Sequence, residues 1–178
     1  MQAKPSLIVL LVITFSASGT ALGQATVPKK AAAVGDLVFR DNGDGTVTEK
    51  TKNKELVWQK DDDARARNWD DSQGLCGSLS LGGHSDWRLP SISELVSLWK
   101  NVGSRDEARK KYFPGMKSSE VLYPGAVAPY WSSDAGGGHI LQGVGEDSAG
   151  FVNFSDGSVH VGTKNFFALY SRCVRTGK

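Results

Sequence analysis

The order of local signals along this chain predicts an α+β domain. Strands come first, then two helices, then strands again, with the N- and C-terminal strands meeting in one antiparallel sheet. Three observations carry that prediction. β-type runs flank Asp44-Gly45 and Asp156-Gly157, and Asp-Gly is a strong hairpin signal. Between them, Ser91 and Glu94 have the spacing of a capping box, which marks a helix start. The 21 glycines among 178 residues call for many tight turns and argue against an all-helical chain.

Taken in order, residues 1–23 read as a secretory signal peptide. Lys4 supplies the positive region, Leu7 to Phe15 the apolar core, and Ala21-Leu22-Gly23 the small residues before a cleavage point, so Gln24 is the expected mature N-terminus. The apolar run falls short of the ~20 residues a spanning helix needs, so no membrane insertion is expected after cleavage. No cysteine follows the leader, and no lipid anchor is expected. Residues 24–35 are small and unpatterned, a flexible tether, leaving 36–178 as one folded domain.

Leu37 to Phe39 and Thr46 to Thr48 form strands across the DNGDG turn, and Thr51 to Lys54 turns the chain into Leu56 to Trp58. Asn68 can cap a first helix with Trp69, Cys76 and Leu79 inward, weakened by Gly74 and Gly77 at about 1 kcal/mol each. Pro90 cannot sit in a helix interior, so it fixes where the second helix begins. Ile92, Leu95, Trp99 and Val102 recur at helical spacing, and Gly103 can end the run. Residues 104–128 read as irregular. Phe151 to Phe154 and Ser158 to Val161 form the second hairpin, and Phe167 to Val174 alternates as a closing strand.

A hydrophobic fraction of 39% and a charged fraction of 22% are globular values. The 21 Lys and Arg against 19 Asp and Glu leave almost no net charge, so no nucleic-acid partner is expected. An exported chain with two cysteines normally bridges them, and closing so long a loop adds ~4 kcal/mol in the chain-entropy picture. The alternative is a free nucleophile with a histidine base, for which neither Cys76 nor Cys173 carries a local signature.

Five pieces then carry a family resemblance: DNGDGTVTEKTKNKELVWQK (41–60), NWDDSQGLCGSLSLGGHSDWRLPSISEL (68–95), YWSS (130–133), FVNFSDGSVHVG (151–162) and YSRCVR (170–175). In that order, residues 39–175 resemble the C-terminal domain of the Legionella collagen-like adhesin, the Lcl C-terminal domain family. The Arg88-Leu89-Pro90 element with Glu94 is more distantly similar to formylglycine-generating enzymes and C-type lectin-like folds. The resemblance implies a C-type lectin-like architecture, in which a bridge from a helix to the last strand is usual. It also implies adhesion at the cell envelope and sulfated or other anionic polysaccharide as a partner. The formylglycine activity depends on active-site cysteines and does not carry over if both cysteines are structural. Trp87, Arg88, Pro90 and Glu94 are expected to act as a structural hub with a half-buried arginine.

Other constellations are weaker. DNGDG resembles a calcium loop, but glycines occupy two of the alternate ligand positions, so a turn explains Asp41, Asn42 and Asp44. Asn153 and Asp156 lie where calcium-dependent lectins hold their ion, yet the rest of that ligand set is missing. His84, His139 and His160 lack zinc spacing, and the run Asp61-Asp62-Asp63 reads as a solvated face. No metal and no cofactor are therefore expected. Arg105, Arg109, Lys110, Lys111 and Lys117, with Tyr112 and Phe113 interleaved, form the candidate anion-binding patch, against the reading of a merely solvated face. Five tryptophans could stack on sugars, though aromatics serve cores first. The expected role is non-catalytic recognition at the envelope, secreted or periplasmic, with a structural or assembly module next and an enzyme third. The oligomeric state is not legible in the sequence.

Overall fold

The computed structural model describes residues 37–103, 105–114, 116, 128–136 and 143–178. The expected leader and tether lie outside these residues. Four strands, β1 (Val38–Asp41), β2 (Thr46–Lys50), β3 (Glu55–Gln59) and β7 (Val174–Thr176), form one antiparallel sheet in the order β1-β2-β3-β7. The opening meander thus takes the closing strand as its fourth member, and the ends of the domain meet as expected. A second antiparallel sheet holds β4 (Pro129–Ala135), β5 (Ser148–Asn153) and β6 (Val159–Thr163). The middle strands thus form a sheet of their own beside the one in which the ends meet.

Three short helices appear among the described residues: α1 (Trp69–Gly77), α2 (Ile92–Leu98), continued by a π-helical turn at Trp99–Gly103, and α3 (Asp106–Tyr112). The last corrects the reading of 104–128 as wholly irregular. Its sequence DEARKKY has no apolar stripe for periodicity to detect, but Glu, Ala, Arg and Lys are good helix formers. None of the helices is long and apolar enough to cross a membrane, among the described residues.

The closing strand also differs from expectation. Pairing as a strand begins only at Val174, because residues 169–173 cross between the two sheets. Leu169 exchanges backbone hydrogen bonds with Arg67, the Tyr170 amide donates to Pro129, and Val174 exchanges both bonds with Arg88. A segment that changes partner at each step cannot keep one ladder.

Strand alternation sorts the first sheet into two faces. Asp41, Val47, Trp58 and Val174 stand in one row and Phe39, Glu49, Leu56 and Thr176 in the next. Of these, Val47, Trp58, Leu56 and Val174 join α2, Phe113 and Tyr130 in the larger hydrophobic cluster. A smaller cluster joins Val57, Cys76, Trp87, Leu89, Trp131, Leu169 and Cys173 beneath α1. Cys76 of α1 and Cys173 are disulfide-bonded across 97 residues of sequence. The second sheet lies against α2 so closely that a Cβ on Gly150 of β5 would meet Ile92.

Candidate functional site

The helix start at Ser91 is built as its spacing predicts. Ser91 Oγ accepts from the Glu94 amide at 3.2 Å and Glu94 Oε2 accepts from the Ser91 amide at 2.9 Å, closing the capping box. Glu94 is buried, and its two oxygens also accept both terminal nitrogens of Arg88 (2.8 and 2.9 Å) and Lys54 Nζ (2.6 Å). Burial pushes this carboxyl up, but the Arg88, Lys54 and Ser91 hydrogen bonds outweigh it and hold it down at about 2. Arg88 itself is half-buried, its side chain 42% exposed. Trp87 is buried with its indole N–H on the His84 carbonyl, and the buried Pro90 offers its carbonyl to the Ser133 amide. Both Glu94 oxygens, both terminal nitrogens of Arg88 and the Trp87 indole N–H are spent on neighbours within the fold.

The arginine that is wholly buried is Arg172, which the sequence did not single out. Its guanidinium donates to the Gln59 and Lys60 carbonyls (2.7 and 2.6 Å) and to Asp62 (2.8 Å), and lies over the Phe113 and Tyr130 rings. Tyr130 completes the network by donating to the same Asp62 oxygen, and burial pushes the pKa of its hydroxyl well above the ordinary value. Asp62 thus belongs to a buried ion pair, which corrects its assignment to a solvated acidic run.

Glu49 on β2 faces Glu94 across a cleft of about 210 Å³ that Lys54, Ser93 and Ser97 also border. Burial raises its carboxyl, and the hydrogen bonds from Asn101 and the Trp58 indole only partly offset this. The other four indole N–H groups, of Trp69, Trp87, Trp99 and Trp131, all donate to backbone carbonyls. Through these bonds the rings hold loops and sheets together.

The turn residues behave likewise. Asp41 takes the Gly43 amide and Lys60, Asp44 takes the Thr46 amide and hydroxyl, and Asn42 bonds the Thr46 and Thr48 hydroxyls. At the second hairpin, Asn153 caps Ser155, while Ser158 Oγ lies 2.6 Å from Asp156 and 2.7 Å from His160 Nε2. Because the acid meets the serine instead of the imidazole, and the group is on an exposed turn, a charge-relay arrangement is not formed. Among the described residues no three His, Cys, Asp or Glu side chains gather where a metal ion would fit.

The basic patch maps onto α3. Arg105 precedes the helix and is exposed, Arg109, Lys110 and Lys111 occupy its last turn, and Lys110 and Lys111 are exposed. Lys117 lies outside the described residues. Lys111 Nζ lies 4.9 Å from the Tyr112 ring centroid, and Tyr112 packs at 5.4 Å against Phe39 of β1. Phe113 is fully buried. The aromatic neighbours therefore seat the helix on the core and leave the exposed lysines facing solvent.

A family model described as the Lcl C-terminal domain matches residues 45–175. No curated protein matches the chain.

Proposed function

The chain belongs to the Lcl C-terminal domain family, and from that membership we propose an exported, non-catalytic recognition module of the bacterial cell envelope that binds sulfated or other anionic glycan. The observation that carries this reading is the cationic last turn of α3, with Lys110 and Lys111 exposed and the helix anchored through Tyr112 on Phe39. The architecture is read as C-type lectin-like, supported by the bridge from α1 to Cys173 and by β7 closing onto the opening meander. Secretion or periplasmic residence rests on the signal-like first 23 residues and on the disulfide, which persists in oxidising compartments.

Retention on immobilised heparin tests the reading. Wild type should be retained and then eluted by moderate salt, since exposed charges are screened beyond ~8–10 Å. Reversing Lys110 and Lys111 to Glu should sharply lower the salt needed for elution while leaving the thermal midpoint unchanged. Equal retention of variant and wild type would discard the α3 patch, and release by chelator instead of salt would indicate a calcium-dependent lectin. An assembly module is the second reading. Strand β6, at the edge of its sheet among the described residues, exposes Val159 and Val161, and Phe166 nearby is 83% exposed. That reading predicts no heparin retention and a concentration-dependent increase of mass in light scattering.

A further inference from the structure

The second face of the first sheet holds an arrangement that α3 does not explain. Arg40, Thr48, Val57 and Arg175 stand directly opposite one another across all four strands. At ~4.8 Å per strand, the two arginines rise at either end of a row about 14 Å long, with threonine and valine as its floor. The Leu81–Asp86 loop walls this face, since Leu81 lies against Gly45 and Gly82 against Asp44 and Thr46. Together they enclose a trough of about 260 Å³ that includes Arg40, Thr48, His84 and Arg175.

Both guanidiniums are held in the same way. Arg175 is only 7% exposed, and its Nε donates to Asp86 at 2.7 Å. Arg40 Nε donates to Asn42 Oδ1 at 3.1 Å, and Asn42 is itself tied to the Thr46 and Thr48 hydroxyls. Among the described residues no acceptor takes the terminal nitrogens of either arginine. A guanidinium pinned at Nε with its terminal N–H groups open is pre-organised to grip an oxyanion. The acids that also border the trough are engaged, Glu55 with Lys50 at 3.0 Å and Asp44 with Thr46. Asp86 already complements Arg175, so among the described residues Arg40 is the cationic end with no carboxylate against it.

We infer that this trough binds one uronic acid residue, its carboxylate held by the terminal nitrogens of Arg40 and its ring lying on the Thr48–Val57 floor. The inference rests on the reading that the domain recognises an anionic glycan, but it locates a site apart from α3 and selects a carboxylate sugar.

Titration of the mature protein with galacturonate, galactose and oligogalacturonate, followed by amide chemical shifts, tests it. Galacturonate should shift resonances of Arg40, Thr48, His84 and Arg175, galactose should not, and the oligomer should bind more tightly if the source is a polymer. Equal affinity for monomer and oligomer assigns the site to a free sugar acid. Arg40, which is exposed, can be changed without risk to the core, so Arg40→Ala should weaken galacturonate at least about tenfold with an unchanged thermal midpoint. Arg40→Lys should fall between, since lysine cannot form the two-pronged contact. Lys110→Glu/Lys111→Glu should leave galacturonate binding intact, so a failed heparin test removes the α3 reading without touching this one. Shifts that are the same for galactose and galacturonate, or affinity unaltered in Arg40→Ala, would overturn the inference.

Discussion

Glu94 and Glu49 are buried carboxyls on facing elements, and acid acts on them in opposite senses. Glu94 is held at about 2, below its ordinary 4.5, so its stabilisation is present above the ordinary value and is lost as pH falls from 4.5 towards 2. Glu49 is raised, so the folded state keeps its proton more tightly, and that contribution is lost as pH rises through the folded value. Glu94→Gln should cost up to about 3 kcal/mol at pH 7, less what solvent screens through the half-buried Arg88 and the exposed Lys54. Urea denaturation should show the gap from wild type shrinking towards pH 3, and a constant gap would contradict the ion-pair account. Arg172→Ala should be the more severe arginine change, at about 3–5 kcal/mol, because it strands buried Asp62. Arg88→Ala should cost less, since that side chain is 42% exposed. The relative urea midpoints of the two variants check this. Local sequence pointed to Arg88 through the capping box beside it. It carried no sign of Arg172, whose partners lie more than a hundred residues upstream.

At the scale of elements, Asp-Gly pairs and the capping box located hairpins and α2 because their chemistry is local. The helix α3 and the true start of β7 escaped, the first for want of an apolar stripe, the second because residues 169–173 change partners between sheets. The α3 cations were legible as a run, whereas the trough was not, since its four residues come from four strands. The β5–β6 turn offers a sharp test of hairpin chemistry. Gly157 has φ +75° and the Trp99 ring lies where its Cβ would be, so Gly157→Ala meets both strain and overpacking. A loss of about 2 kcal/mol or more is expected. Gly43→Ala, also at positive φ but facing open space, should cost about 1 kcal/mol. Similar thermal midpoints for the two variants would show that Trp99 yields.

For the whole molecule, the disulfide ties α1 to the segment that links the two sheets. Reduction should lower stability by about 4 kcal/mol in the chain-entropy picture. Denaturation with and without reductant measures it, and an unchanged midpoint would mean that packing alone holds Cys173 in place. The closing stretch from Arg172 to Arg175 supplies the buried ion pair, the disulfide partner, the first two residues of β7 and one arm of the trough within four consecutive residues. For a geneticist the consequence is plain. A nonsense mutation at codon 172 would leave strands β1 to β6 and helices α1 to α3 encoded and still behave as a null allele, whereas missense changes at the exposed Lys52 and Asn53 between β2 and β3 should pass unnoticed.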